Sequence, residues 1–205
     1  MDSLGVSKFT FTFEYQQKDL KFILSALYKC YLKIIKSDIL IKNNENEIRD
    51  IFISDQFLDN HLFKQELDLI EFKFDKEIQT KDGRVDIRVL NMIDEMKGNY
   101  KPYYYIECKR IKGDKTYNDY YSNNGINRFI NGKYPTYLKE NAMIGFVVNN
   151  IDIEENSLKI SGLIKYNFID GFNYSYISKH TIHNEEEITL YHLMLNFSNK
   201  IATPK

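Results

Sequence analysis

The spacing of apolar and polar residues changes along the chain, which predicts helices in the first third and strands after it. Residues 18–36 carry apolar side chains at helical spacing, including Leu27 and Ile35. Residues 44–71 continue the helical period, with a break expected near Asn60. The opening stretch of the chain is expected to add one strand.

The period shortens to two residues after position 71, as is typical of β-strands. Residues 72–79 and 83–90 alternate apolar with polar side chains. Between them, Asp82 followed by Gly83 is a recognisable hairpin signal. Residues 101–110, KPYYYIECKR, form a third strong strand pattern that closes with charged side chains.

The rest of the chain predicts further helices and strands around the same sheet. Helices are expected at 116–131 and 151–166, and strands at 142–150, 174–182 and 188–198. This order predicts an α/β fold, or the related α+β class, in which helices flank a central mixed β-sheet.

The chain has 205 residues, enough for one domain with a sizeable core. We expect a single domain over residues 1–205. Its parts are a helical region at about 18–71, a sheet core at about 72–150, and C-terminal helix and strands at about 151–198.

Charge and cysteine content limit the function classes. The net charge of -1 excludes a protein that is basic throughout, so binding to a polyanion requires a local patch or a bound metal. Two cysteines cannot build a disulfide framework, which favours a reducing, cytoplasmic location. Since we see no signal peptide and no run of about 18 apolar residues, we expect no membrane association.

The charged residues that close the third strand are the main functional candidates. Because side chains alternate along a strand, Glu107 and Lys109 share one face and Cys108 lies on the other. On the preceding strand, Asp86 is expected to point away from Val85 and Ile87. If the two strands are neighbours, Asp86, Glu107 and Lys109 meet on one side of the sheet.

Two carboxylates that meet in this way repel one another, and a divalent cation removes the conflict. Mg²⁺ is commonly held by one or two carboxylates together with water and substrate phosphate. Such an ion activates water and neutralises charge on phosphorus. The nearby lysine can orient the attacking water or stabilise the oxyanion.

The ordered residues resemble the PD-(D/E)XK nuclease superfamily, whose fold is that of the restriction endonucleases. The matching positions are Glu47 in NENEIRD, Asp86 in GRVDI, and Glu107 and Lys109 in YYYIECKR, within roughly residues 44–148. One departure is Val85, which stands where the family's name-giving proline precedes the aspartate.

The resemblance implies a Mg²⁺-dependent nuclease-like domain that hydrolyses phosphodiester bonds, with Mn²⁺ as a substitute ion. Asp86, Glu107 and Glu47 would be metal ligands, and Lys109 would lie near the attacking water. DNA is the implied substrate, and a homodimer or a subunit of a larger nuclease complex is the implied assembly. Restriction or defence against phage is the implied role. The alternative is an inactive module on the same fold that binds nucleic acid or a partner.

The helical acid has competitors. Glu47 fits the family pattern best, Asp50 is able to pair with Arg49 instead, and Asp55 falls close to the centre of the apolar stripe. Glu77, on the polar face of the first strand, is a further candidate.

Downstream residues suggest a surface for nucleic acid. Arg110, Arg128 and Lys133 are candidates for phosphate contacts, and Tyr121 for stacking on a base. The alternative is that the tyrosines of this helix pack on the sheet, with Arg128 at the rim.

Histidine and cysteine residues are expected to be structural. His180 and His183 have zinc-ligand spacing with His192 nearby, but the segment has a strand or turn pattern and lacks a third soft ligand close by. Cys108 is expected to be a small core residue and not a nucleophile.

Overall fold

A seven-stranded mixed β-sheet with helices packed against both of its faces forms the centre of the molecule. The computed structural model describes residues 4–81, 83–99, 101, 104–182 and 186–202. The predicted α/β fold class, a central mixed sheet flanked by helices, is confirmed.

The α-helices of the described residues are distributed along the whole chain. They are α1 (Leu4–Lys36), α2 (Glu45–Phe52), α3 (His61–Glu66), α4 (Met92–Met96), α5 (Lys115–Tyr121), α6 (Asn127–Ile130) and α7 (Ile153–Leu158). A π-helical turn, Ser122–Ile126, joins α5 to α6. A 3₁₀ turn, Ser198–Lys200, follows the last strand.

The strands lie in the spatial order β1-β2-β3-β4-β7-β6-β5. They are β1 (Phe72–Thr80), β2 (Gly83–Asn91), β3 (Tyr104–Ile111), β4 (Glu140–Val147), β5 (Ile164–Lys165), β6 (Ser175–Thr181) and β7 (Glu187–Asn196). The central pairs β3–β4 and β4–β7 are parallel, and the other pairs are antiparallel. Parallel central strands are buried on both faces, which agrees with the apolar sequence of β4.

Alternate residues of β3 divide the core into two layers. Ile106 and Cys108 pack with the layer that contains α1, α2 and α3. Tyr105 and Ile111 pack with the layer that contains α5, α6 and α7. Because Glu107 and Lys109 alternate with Ile106 and Cys108, they belong to the α5 side of the sheet.

Side-chain caps explain where the short helices begin. Asn44 Oδ1 accepts hydrogen bonds from the backbone nitrogens of Asn46 and Glu47 at the start of α2. Asn60 Oδ1 does the same for Phe63 at the start of α3. The expected break near Asn60 is therefore confirmed, since Asn60 is the capping residue immediately before α3.

Several predicted elements have other bounds in the structure. Of the helical stretch expected at 44–71, only Glu45–Phe52 and His61–Glu66 are helical. The opening stretch does not form a strand, because α1 already begins at Leu4 and continues through the predicted helix 18–36. Of the helix expected at 151–166, only Ile153–Leu158 is helical, and the segment ends in the short strand β5. The hairpin residue Asp82 lies outside the described residues. None of the described helices is long and apolar enough to cross a membrane.

Candidate active site

The strands β2 and β3 separate next to the predicted site. Their described pairing runs from Val89 opposite Tyr104 to Ile87 opposite Ile106. At the following position Asp86 Oδ2 accepts a 2.8 Å hydrogen bond from the backbone nitrogen of Cys108. A buried carboxylate therefore satisfies a backbone group that the sheet leaves unpaired at this point.

The alternation of side chains changes at the same place. Val85 packs in the core layer that contains α5, whereas Ile87 packs in the layer that contains α1. The expectation that Val85 and Ile87 share the face opposite Asp86 was therefore wrong. On the neighbouring strand, Glu77 lies between the paired residues Lys76 and Ile78 and has a φ of 53°. A positive φ at a residue other than glycine is strained, and such strain is concentrated at functional sites.

Four oxygen atoms surround the ammonium nitrogen of Lys109. They are Glu107 Oε1 at 2.7 Å, the Cys108 carbonyl oxygen at 2.7 Å, Glu45 Oε1 at 3.1 Å and Asp86 Oδ2 at 3.6 Å. The structure thus brings the side chains of Asp86, Glu107 and Lys109 together around one ammonium group. All three are buried, so their charges are screened little by water.

The second partners of Glu107 come from the segment after β3. Arg128 Nη1 donates a 2.7 Å hydrogen bond to Glu107 Oε1, and the Tyr134 hydroxyl lies 2.8 Å from Glu107 Oε2. The Tyr134 hydroxyl also lies 2.7 Å from the carbonyl oxygen of Arg84. These contacts fix the orientation of the carboxylate. Sequence reasoning missed Tyr134, whose only signal was a tyrosine shortly after the helix.

Asp86 has a second cationic partner in Arg49. Arg49 Nη1 lies 3.2 Å from Asp86 Oδ1, and its Nη2 lies 2.7 Å from Asp50 and 3.1 Å from Glu77. Arg49 is buried although it carries a charge. A buried arginine of this kind is retained only when several acceptors compensate for its lost hydration.

Burial and charge shift the ionisation of the central pair. Burial, followed by the nearby Asp86 carboxylate, raises the pKa of Glu107 to about 7, although Lys109 and Arg128 act in the opposite direction. Burial alone lowers the pKa of the Lys109 ammonium, but Glu107, Asp86 and Glu45 together outweigh it and raise that pKa. Lys109 therefore remains a cation beside Glu107.

Helix α2 places Glu45, and not Glu47, against Lys109. Glu45 Oε1 contacts the ammonium, and Glu45 Oε2 accepts a 3.1 Å hydrogen bond from the backbone nitrogen of Arg110. Glu47 pairs with Lys42 at 3.1 Å, and 49% of its side chain is exposed. Glu45 is the first residue of α2, and it lies next to the end of β3. The family pattern did not indicate this position.

The other acids considered for the site have different positions. Asp50 and Glu77 share Arg49 as a partner, and Glu77 also contacts Arg84 at 3.1 Å. Asp55 is exposed in a turn, so its expected place in the apolar stripe was wrong. Glu77 and Asp50 thus position Arg49, which in turn holds Asp86.

The predicted nucleic-acid contacts divide into buried and accessible residues. Tyr121 is 0% exposed and lies 2.9 Å from His192 Nδ1, so its prediction as a stacking surface was wrong. Arg128 bonds to Glu107 and is partly exposed. Lys133 is exposed, and Arg110 Nη1 donates to the backbone and side-chain oxygens of Asn43.

The histidines have structural partners. His192 lies between the Tyr121 hydroxyl and Ser178 Oγ, which is 2.8 Å from its Nε2, and His180 Nε2 lies 2.7 Å from the same Ser178 oxygen. His183 lies outside the described residues. Cys108 is a free thiol fully buried in the core.

The described residues contain no group of three or more histidine, cysteine, aspartate or glutamate side chains arranged to hold a metal ion. In this structure the cations Lys109, Arg49 and Arg128 pair with the carboxylate oxygens of Glu107 and Asp86.

Comparison of the chain with protein-family models, with curated proteins and with solved structures found no match.

Proposed function

We propose that this protein is a metal-dependent nuclease of the PD-(D/E)XK type that hydrolyses phosphodiester bonds, with DNA as the substrate. The observation that supports the proposal most is the set of oxygens around Lys109 Nζ. Two buried carboxylates, those of Asp86 and Glu107, and the Cys108 carbonyl oxygen converge there on a single cationic centre.

The donor set suits Mg²⁺, with Mn²⁺ as a substitute, because all of its members are hard oxygen ligands. Asp86, Glu107 and the Cys108 carbonyl would hold the ion, and Glu45 is the helical acid best placed to assist. When bound, the ion would supply an activated water and neutralise charge on the phosphate. The Lys109 ammonium, which now contacts two of these oxygens, would have to share them with a bound ion.

The chain's own side chains have separate tasks in this proposal. Arg128 and Tyr134 hold the Glu107 carboxylate, and Arg49 holds that of Asp86. Lys109 orients the attacking water or stabilises the charge that develops on the phosphate. Arg110 and Lys133 supply positive charge for the substrate backbone.

The biological setting follows only from the family resemblance. We propose a cytoplasmic protein that cuts foreign DNA in restriction or phage defence, as a homodimer or as a subunit of a larger nuclease complex. Both cysteines are free and buried in the described structure, which agrees with a reducing compartment.

The test is incubation of purified protein with plasmid DNA, linear DNA and RNA in Mg²⁺, Mn²⁺ or EDTA. We expect cleavage with the metals alone, and a loss of at least about a hundredfold in Asp86→Asn and Glu107→Gln. Glu155→Gln, which removes an exposed acid on α7, is the matched control and should cleave normally. Folded wild-type protein that cleaves none of these substrates with either metal contradicts the proposal.

The second candidate is a module that binds nucleic acid or a protein partner without hydrolysis. It is favoured by the cations Lys109, Arg49 and Arg128, which already neutralise the carboxylates of the site. Binding of nucleic acid that persists in Asp86→Asn, with no cleavage by the wild type under either metal, would support this module instead.

A further inference from the structure

A cleft of about 440 Å³ opens beside Lys109, on the side of the active site formed by α2 and α5. Its lining comes from the start of α2, the end of β3 and the exposed face of α5. The residues are Asn44, Glu45, Asn46, Arg110, Thr116, Tyr117 and Tyr120. Glu45 belongs both to this cleft and to the oxygen set around Lys109, so the two sites are continuous.

Tyr117, Tyr120 and Arg110 form a wall of the cleft, and the ammonium groups of Lys109 and Lys112 lie close to the tyrosine rings. The Tyr120 ring centre lies 5.7 Å from Lys109 Nζ, and 44% of this residue is exposed. The Tyr117 ring centre lies 5.7 Å from the Arg110 guanidinium carbon and 4.3 Å from Lys112 Nζ. Aromatic faces beside cations are the combination that binds unpaired bases and the adjoining phosphates.

An unsatisfied donor lies in the same wall. Arg110 Nε is buried and has no hydrogen-bond partner among the described residues, whereas its Nη1 is held by Asn43. A buried donor without an acceptor is costly, so a ligand that moves the guanidinium and offers an acceptor would relieve that cost. The ring nitrogens and carbonyl oxygens of a nucleobase are such acceptors.

We propose that the cleft binds one unpaired base of the substrate, stacked on Tyr117 or Tyr120, next to the phosphate that is cleaved. The inference rests on the proposed function for its substrate class. A base inside a duplex has both faces covered by its neighbours, so it must leave the stack before it can pack on a tyrosine of this cleft. The preferred substrate is therefore single-stranded nucleic acid, or a duplex with an unpaired nucleotide at the cut site.

Binding in EDTA separates recognition from hydrolysis. Fluorescence anisotropy is measured with a labelled single-stranded oligonucleotide and with the same sequence as a duplex. The variants are Tyr117→Ala/Tyr120→Ala and, as control, Tyr166→Ala. Tyr166 is 39% exposed and has Lys21 Nζ at 5.4 Å from its ring, but it is not part of the cleft.

We expect the wild type to bind the single strand at least about tenfold more tightly than the duplex. The double variant should lose about tenfold or more of single-strand affinity, with little change for the duplex. The control should behave like the wild type. A set of oligonucleotides with one abasic position each should identify a single position where removing the base weakens the wild type but not the double variant.

The outcomes distinguish the two proposals. Metal-dependent cleavage with equal single-strand and duplex affinity, unchanged in the double variant, overturns the base site and leaves the nuclease. Tyrosine-dependent single-strand binding without cleavage under either metal supports the base site and overturns the hydrolysis. Absence of both binding and cleavage overturns both.

Discussion

The Asp86 carboxylate accepts a 2.8 Å hydrogen bond from the backbone nitrogen of Cys108, at the point where β2 and β3 stop pairing. A side chain thus takes the place of a strand partner. This keeps Asp86 against the two residues of β3 that flank Cys108, namely Glu107 and Lys109. The position of the acid is therefore a consequence of how the sheet opens.

Substitution of each acid of α2 by glutamine distinguishes the role of Glu45 in catalysis from that of Glu47. Glu45→Gln should reduce metal-dependent cleavage by about tenfold or more, because Glu45 contacts Lys109 Nζ and the backbone nitrogen of Arg110. Glu47→Gln should stay within about twofold of the wild type, since Glu47 is half exposed and pairs with Lys42. The measurement is the initial rate of plasmid cleavage at saturating Mg²⁺. The reverse order of effects would restore Glu47 as the helical acid.

Removal of the central ammonium should reveal the metal site without any assay of activity. In Lys109→Met the oxygens of Asp86, Glu107 and Cys108 lose the cation that now compensates them. We expect lower thermal stability in EDTA, because two buried carboxylates are left without this partner. Millimolar Mg²⁺ should raise the melting temperature of the variant by more than that of the wild type.

The control for this experiment is Lys115→Met, which removes an exposed ammonium on α5. It should show the same response to Mg²⁺ as the wild type. If Mg²⁺ and Mn²⁺ leave the melting temperature of Lys109→Met unchanged, the oxygen set does not bind these ions.

Part of the site could be predicted because strand alternation is a local property. The period of two along residues 101–110 placed Glu107 and Lys109 on one face, and the structure places them so. The sheet order that makes β2 the neighbour of β3 was also consistent with the pattern of the sequence. These relationships depend on neighbouring residues and on one pairing of strands.

The remainder depends on contacts between distant parts of the chain. Glu45 reaches Lys109 only because Asn44 caps α2 next to the end of β3. Tyr121 shares a helix with the exposed Tyr120, but a buried partner on β7, His192, holds it in the core. Periodicity within one helix does not specify which tyrosine has such a partner.

Loss of Arg49 should destabilise the fold strongly. Arg49→Met leaves the buried Asp86 without its 3.2 Å partner and removes the group shared by Asp50 and Glu77. We expect a loss of about 3 kcal/mol in the free energy of unfolding, measured by urea denaturation. In the comparison variant Arg88→Met a more exposed pair with Asp75 is lost, so about 1 kcal/mol or less is expected. Equal losses in the free energy of unfolding would show that the buried Arg49–Asp86 pair stabilises the fold no more than the Arg88–Asp75 pair.

Acid should weaken the fold through His192. Burial, and then the nearby His180, lower the pKa of His192 to about 3 in the folded protein. The unfolded chain binds this proton near pH 6.5, at about the ordinary pKa of histidine. Stability from the neutral imidazole is thus complete above that pH and is lost as pH falls towards 3, by up to about 1.4 kcal/mol per pH unit.

The measurement for His192 is urea denaturation at pH values from 7 to 4, with the slope of stability against pH compared between variants. His192→Gln cannot titrate, so its slope should be shallower than that of the wild type, whatever stability it loses at pH 7. His61→Gln, which removes an exposed histidine of α3, is the comparison variant. Parallel curves for the wild type and His192→Gln would mean that His192 is protonated to the same extent in the folded and unfolded states.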